Sequence, residues 1–349
     1  MKVAVLVSGG VDSSVVLRLL KQQGYEVTAF YLKIWLEEEL SFLGECPWED
    51  DLQFIRAVCN QADVELKIIP LQKEYHDFVI GYAIQAVKEG RTPNPDMLCN
   101  TLIKFGAFYD LVGKQYDKIA TGHYAQVLEK EGVFYLHQTP DAIKDQTYFL
   151  ARLNQEQLSR VMFPIGDYTK EQVRELAQQF DLPNKDRKDS QGLCFLGKIK
   201  FRDFIEHHVG TREGDFIEYE TGAVMARHQG FWFYTTGQRQ GIGLSGGPWY
   251  VVSKDSAKNL VYISKNYHAD DKQRDFFYID HCYWFSGNAP CGRQIDVKLR
   301  HGAHMHTARI EETEQGIKVI LQERDQGIAA GQFAVFYDNG LCIGSAVIQ

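Results

Sequence analysis

Val3-Ala4-Val5-Leu6-Val7-Ser8-Gly9-Gly10-Val11-Asp12-Ser13-Ser14 is the stretch on which the fold of this chain turns. Val3 to Val7 is a short continuous apolar run with a β-branched residue at every second position, the composition of a buried strand in a parallel sheet. From Ser13 the apolar residues Val15, Val16, Leu19 and Leu20 recur at helical spacing, and Gly24 supplies a stop. Gly9 and Gly10 therefore fall at a strand-to-helix turn. There, backbone amides can approach a ligand unobstructed, the serine hydroxyls add donors, and the free amides of the helix start favour phosphate oxygens. Asp12 offers an oxygen ligand to magnesium. No Walker lysine follows Asp12, and the dinucleotide pattern G-x-G-x-x-G is absent. The turn reads as an ATP site; the competing reading is a glycine turn with a helix cap.

Glu26 to Leu32, Glu65 to Pro70 and Tyr116 to Thr121 have strand composition, with helical patterns between them at Asp50 to Ala62, Tyr75 to Glu89 and Leu102 to Lys114. That alternation predicts an α/β, doubly wound parallel sheet, with ligands beyond the carboxyl ends of its strands. Both the glycine turn and Gly122-His123 lie at such ends. Beyond about Gly210 glycine turns become dense and short aromatic or β-branched runs take over, such as Phe231 to Tyr234 and Trp249 to Val252. From about His268, runs at Ile295 to Leu299, Ile317 to Leu321, Phe333 to Tyr337 and Leu341 to Ile348 predict a closed or nearly closed barrel. The expected division is a catalytic domain over 1–200, a small β-rich central domain over 201–267 and a C-terminal β-barrel over 268–349.

A chain of 349 residues fits two or three domains. No stretch approaches the roughly twenty apolar residues needed to span a bilayer, and Met1 leads straight into a strand rather than a signal peptide. A cytoplasmic protein, or an organellar one after processing, is expected, without membrane partners. The seven cysteines, Cys46, Cys59, Cys99, Cys194, Cys282, Cys291 and Cys342, are scattered and form no C-x-x-C pair, which argues against a disulfide framework or zinc knuckle. Cys59 and Cys342 read as core residues. The formal charge of −8 argues against a nucleic-acid partner. Seven of the acids, however, crowd into Glu37 to Asp51, and outside that segment 38 bases face 39 acids. The acidity is local and reads as a solvated loop.

Four further segments carry candidate chemistry. In Thr92-Pro93-Asn94-Pro95-Asp96-Met97-Leu98-Cys99-Asn100 the prolines enforce a stiff, extended loop. Asn94 and Asp96 can hydrogen-bond a planar ring there, and Cys99 stands before a helix start whose dipole favours a thiolate; the alternative is an Asx-Pro turn with a cysteine that simply packs. Cys194 lies among Lys185, Arg187, Lys188, Lys198 and Lys200, which lower a thiol pKa and attract phosphates, unless it too is a core residue. Lys144-Asp145-Gln146 precedes a helical run, as a binding segment or as a cap. In the last domain Arg293, Lys298, Arg300 and Arg309 form a candidate phosphate stripe. His301, His304 and His306 lie among them, and strand spacing would put His301 on the opposite face from the other two, against a metal site.

With these pieces in place, the glycine turn resembles the PP-loop of the ATP pyrophosphatases, and the whole chain resembles the bacterial-type tRNA-specific 2-thiouridylases. Carrying the likeness are the PP-loop, the segment from Thr92 to Asn100, Ala120-Thr121-Gly122-His123-Tyr124, Lys144-Asp145-Gln146, Leu193-Cys194-Phe195, Thr236-Gly237-Gln238-Arg239-Gln240-Gly241 and Gly331 to Tyr337. The resemblance implies an adenine nucleotide α hydrolase-like fold and ATP-dependent, magnesium-assisted 2-thiolation of the wobble uridine in tRNAs for Lys, Glu and Gln. Sulfur would come from a cysteine desulfurase or sulfur-relay protein. The nucleotide would meet Val7, Ser8, Gly9, Gly10, Val11, Asp12, Ser13, Ser14, Leu32 and Gly122. The target base would meet Asn94, Pro95 and Asp96, and tRNA would meet Lys144, Asp145, Gln146, Arg300 and His301. Cys99 would be the nucleophile, Cys194 the persulfide carrier and Asp96 the proton-transfer group, with a transient Cys99 to Cys194 disulfide. Leu32 stands where the family often has methionine, and His301 where it usually has an aromatic; the Glu37 to Asp51 segment departs from the common pattern while Trp35 is kept. Two other functions compete: a PP-loop adenylating ligase of a small substrate, and a non-catalytic, nucleotide-gated RNA-binding module.

Overall fold

The computed structural model describes residues 1–34, 48–188, 201–267, 269–272 and 274–349. Cys46, Cys194 with its flanking residues 189–200, Trp35 and the 37–47 part of the acidic segment lie outside the described residues.

The first part of the chain supplies β1 (Lys2–Leu6), β2 (Glu26–Lys33), β3 (Glu65–Pro70), β4 (Lys118–Ala120), a hairpin of β5 (Gln126–Lys130) and β6 (Val133–His137), and β7 (Val161–Met162). Five of these form a parallel sheet in the order β3-β2-β1-β4-β7. Strand order reverses at β1, so a crevice opens beyond the carboxyl ends of β1 and β4, where the glycine turn and Gly122 lie. Helices Val11–Gln22 and Trp48–Ala62 cover one face; the latter buries Leu52, Ile55, Val58, Cys59 and Ala62 as its periodicity predicts. Burial pushes the Cys59 thiol up to about 11, consistent with an inert core cysteine.

The central domain is a four-stranded sheet of β8 (Gly214–Glu218), β9 (Val224–His228), β10 (Tyr250–Asp255) and β11 (Leu260–Ser264), ordered β10-β11-β8-β9. Phe231 to Tyr234, which has strand composition, instead makes a 3-10 turn, Phe231–Phe233. Its rings pack one by one against neighbouring aromatics rather than alternating across a sheet.

β12 (Arg274–Trp284), β13 (Gln294–Lys298), β14 (His306–Thr313), β15 (Gly316–Asp325), β16 (Phe333–Asp338) and β17 (Leu341–Ile348) close into a barrel through the β12–β17 pairing. Ile295, Val297, Ala308, Ile310, Val319, Leu321, Ala334, Phe336, Ala346 and Ile348 fill its interior at period two. Phe333, Val335 and Tyr337 of β16 point the other way, into the core of the catalytic domain. β16 is thus buried on both faces, which accounts for its unbroken apolar sequence. The β5–β6 hairpin joins the barrel rather than its own sheet: Leu341 pairs with His137 and Cys342 with Leu136. The sequence boundary near residue 200 therefore conceals a shared eight-stranded sheet.

At this junction Lys298 on β13 donates to Asp145 Oδ2 at 2.9 Å, with the two side chains 2% and 0% exposed. Thr147 Oγ1 donates to the same carboxylate at 2.8 Å and meets the Tyr337 hydroxyl at 3.0 Å. Lys298 is accordingly no part of a phosphate stripe, because its strand position turns it inward onto a carboxylate. His301 and His304 lie in the loop before β14, so the strand-spacing argument about the histidines does not apply to them. Removing one member of a buried pair leaves an uncompensated charge, so Lys298→Met should lose about 3–5 kcal/mol of unfolding free energy. Pairing it with Asp145→Leu should recover most of that loss in urea melts. Additive losses in the double variant would show that the two groups act independently.

Candidate active site

The turn after β1 has the geometry its glycines permit. Gly9 takes φ +76°, a left-handed conformation that L side chains rarely adopt, and Gly10 precedes the helix Val11–Gln22. Ser13 and Ser14 hydroxyls donate to Gly10 O at 3.1 and 3.0 Å, and Ser8 N–H donates to Ser13 Oγ at 3.2 Å. A cradle results, with the helix amides at its base. Gly122 closes it from the end of β4: a Cβ there would stand 2.8 Å from Ser13 N and 3.1 Å from the Asp12 carbonyl carbon. Only glycine lets the end of β4 approach the helix start so closely. Leu32 lies on β2 near its carboxyl end, on the same side of the sheet's crevice.

Side chains distant in sequence brace this turn. Asn184 Nδ2 donates to Gly9 O and Ser14 Oγ, each at 2.9 Å, and Arg187 donates to Gly9 O at 3.0 Å. Arg187 also pairs with Asp51. The end of the acidic segment is therefore not simply solvated: Asp51, in the first turn of Trp48–Ala62, fixes an arginine beside the phosphate cradle. Burial nonetheless outweighs Arg187 and raises the Asp51 pKa.

Asp12 receives Lys170 Nζ at 2.7 and 2.9 Å and the Tyr124 hydroxyl at 3.1 Å. Gln146 holds Tyr124 in turn, accepting Tyr124 N–H on Oε1 at 3.0 Å while its own N–H donates to Tyr124 O at 2.9 Å. Asn184 and Lys170 are absent from the sequence-based expectations. For Lys170 a signal existed. Thr169 and Gln172 form a capping box, which makes Lys170 the first residue of Lys170–Gln179, where a cation opposes the helix dipole. A charge held against its local preference points to a partner elsewhere.

Around the second loop, Asn94 caps a helical turn, Pro95–Leu98, by accepting Met97 N–H at 3.2 Å, with Pro95 at the first helical position. The π-helix Cys99–Ala107 continues it. Cys99 thus lies beyond the first turn, where the dipole's effect has largely decayed, rather than before the helix start. It is also 1% exposed, within the main core. Tyr148 hydrogen-bonds Asn94 and Phe333 O, although burial is the larger influence and pushes its phenol up. Across from this loop the His301 ring stacks on Phe149 with centroids 4.7 Å apart. Burial lowers the His301 pKa, opposed by its bond to the Asp145 backbone and by the Asp145 and Asp96 charges. The barrel thereby places His301 within the field of Asp96. Behind them His123, hydrogen-bonded to Thr121 at 2.8 Å, packs near Phe105 of the π-helix. Burial, then Lys104, holds its pKa well below the usual histidine range.

The expected RNA-contacting residues separate into two kinds. Lys144 and Arg300 are partly or largely open to solvent, although Arg300 is tethered to Asp325 at 2.8 and 3.2 Å. Asp145 is 1% exposed and occupied by Lys298 and Thr147, and Gln146 is occupied by Tyr124. The geometry of the turn fits a nucleotide triphosphate: a glycine cradle, a helix start and a nearby lysine. Asp12 is the carboxylate that would hold magnesium.

The chain matches three family descriptions in succession: tRNA methyl transferase HUP domain over 1–198, tRNA methyl transferase PRC-barrel domain over 202–265, and aminomethyltransferase beta-barrel domain over 274–348. Similar curated proteins include tRNA-specific 2-thiouridylase MnmA 1 of Bacteroides thetaiotaomicron, 44% identical over 355 residues, covering 100% of this chain and 99% of that protein. The tRNA-specific 2-thiouridylases MnmA of Porphyromonas gingivalis and Parabacteroides distasonis are likewise 44% identical, with the same shares of each chain covered. Such identity along the full length, with a glycine cradle, a capped Asn-Pro-Asp loop and a barrel in the order described, means that the chain belongs to the tRNA-specific 2-thiouridylase family.

Proposed function

We propose that this protein activates the C2 oxygen of the tRNA wobble uridine with ATP and replaces that oxygen by sulfur. The observation that carries the proposal is the joining of two half-sites through one bonded chain. Asp12 of the phosphate cradle is held by Tyr124, Tyr124 by Gln146, and the adjoining Asp145 and Phe149 by Lys298 and His301 of the barrel beside the Asn94–Cys99 loop.

In the first step the uridine C2 oxygen attacks the α-phosphorus and pyrophosphate leaves, giving an adenylated base. The amides after Gly10 hold the phosphates, and magnesium, when bound, neutralises their charge. Lys170, held beside the cradle by Asp12, supplies the positive charge that a Walker lysine supplies elsewhere. In the second step Cys99 thiolate attacks the Cys194 persulfide, forming a Cys99–Cys194 disulfide and releasing hydrosulfide. The hydrosulfide then adds to C2 and expels AMP, with Asp96 taking the proton. A thiol reductant restores both cysteines. Because Cys99 is buried, the chemistry requires the cover over it to move as RNA seats.

Incubation with unmodified tRNA, ATP, magnesium and sulfide, followed by nucleoside mass spectrometry and AMP quantification, tests the scheme. Thiouridine with matching AMP is the expected product; ADP, or pyrophosphate exchange driven by a small substrate without RNA, would sink it. RNA binding with no AMP would point to a nucleotide-gated binding module. Cys194→Ser, supplied with persulfide donor rather than free sulfide, should still release pyrophosphate and form adenylated tRNA but make no thiouridine. Lys170→Met should slow AMP formation about 100-fold with little change in tRNA affinity, and Lys170→Arg should recover part of the rate. An undiminished rate in Lys170→Met would remove the lysine from the scheme.

A further inference from the structure

The loop that leads into Asn94 is clamped from two sides. Thr92 N–H donates to Ala330 O of the barrel at 2.8 Å, and Gly331 lies so close that a Cβ would stand 2.7 Å from Arg91 Cβ. On the other side Gly90 faces Phe231 and Ser256 of the central domain. Between loop and central domain lies a cleft of about 150 Å³, lined among others by Arg91, Pro95, Trp232, Tyr234 and Lys254. This is several times the roughly 30 Å³ share of one water in the liquid.

Lys254 is the unexplained member of this group. It projects from β10, is only partly exposed, and has no carboxylate partner among the described residues; the Phe231 ring centroid lies 6.0 Å from Nζ. Burial alone, with no opposing charge, pulls its pKa down to about 8. Keeping an ammonium group in such surroundings without a counter-charge costs stability, and an anion entering the cleft would offset that cost. Arg91 adds a second cation at the rim, 38% exposed and held by Glu89. Aromatic side chains beside paired cations suit single-stranded nucleic acid, where a base lies against a ring and its phosphate meets the charge.

We propose that this cleft binds a backbone phosphate of the RNA strand beside the nucleotide under modification, with Lys254 and Arg91 as its cations and Trp232 and Tyr234 as an apolar wall for the flanking base. The inference rests on the tRNA reading above. It gives the central domain, which contributes no residue to the half-sites described, a direct part in seating the substrate.

Binding of unmodified wobble-uridine tRNA should be measured for the wild-type chain, Lys254→Met and Lys254→Arg, between about 50 and about 200 mM salt. Lys254→Met should weaken binding about 5–10-fold and reduce the salt slope by about one. Its ATP affinity should stay at the wild-type level, and its thermal midpoint should equal or exceed that of the wild type, because a buried unpaired charge has gone. Lys254→Arg should keep the slope. A folded Lys254→Met with wild-type tRNA affinity and slope would overturn the site while leaving thiolation intact, whereas a wild-type chain with no tRNA affinity would overturn both. Pyrophosphate binding lost in Lys254→Met, with tRNA binding unaltered, would assign the cleft to a small anion and likewise reject the RNA site.

Discussion

The buried contact between Asp145 and Lys298 is the constraint on which the rest of this structure depends. Neither side chain reaches water, so each needs the other, and the two come from domains more than 150 residues apart in sequence. Asp145 is flanked by two groups that the site uses. Gln146 fixes the backbone of Tyr124, whose hydroxyl reaches Asp12 in the phosphate cradle. Beyond Thr147, Phe149 carries His301 from the barrel. One ion pair thus sets where the barrel rim stands relative to both the nucleotide turn and the Asn94 loop. A buried pair is weak evidence for net stability compared with an apolar replacement, but it defines position well, since any shift leaves two charges unsatisfied.

Local sequence revealed those parts of the fold whose cause is local. The cradle from Ser8 to Ser14 was legible because a parallel strand, glycines and a helix start must coincide there, and the amphipathic helix bearing Cys59 because its apolar spacing has one period. The β5–β6 hairpin was not legible as part of the barrel. Its own residues specify only that Gln126–Lys130 and Val133–His137 pair; nothing in them names Leu341 and Cys342 as further partners. Lys298 misled for a related reason. Among Arg293, Arg300 and Arg309 it has the composition of a basic surface, and only the β13 register shows that it faces a carboxylate from elsewhere.

The candidate site divides along the same line. The prolines predict an extended loop through Asn100, but only Arg91 to Asn94 keep that form: Pro95 instead opens a helical turn that Asn94 caps, because a proline fits a helix's first position as well as a loop. Cys99 was placed at the wrong point along its helix. Pro95 is acceptable at a helix's first position and Asn94 is a good cap, so the helix begins seven residues earlier than the Leu102 start that apolar periodicity alone suggested. Within that helical run Cys99 is buried in the same core cluster as Ile103 and Phe105.

Lys170 and Lys254 show how charges can be read when no motif contains them. Each violates a local rule: Lys170 sits where the helix dipole repels it, and Lys254 sits partly buried without a counter-ion. The first conflict is resolved inside the molecule by Asp12, 158 positions away. The second finds no resolution among the described residues. Folding alone gives no reason to keep an ammonium group there, because an apolar side chain of similar length would fill the same space with less cost. The position of that unresolved charge matters as much as its existence. It faces the segment Arg91 to Pro95, which the barrel holds through Ala330 and the central domain holds through Phe231 and Ser256. A loop gripped from both sides presents Asn94 and Asp96 in one fixed orientation, and an anion drawn to Lys254 would enter directly beside them. The two β domains then act on the same few residues of the catalytic domain, one by fixing the loop and the other by fixing the strand that passes it.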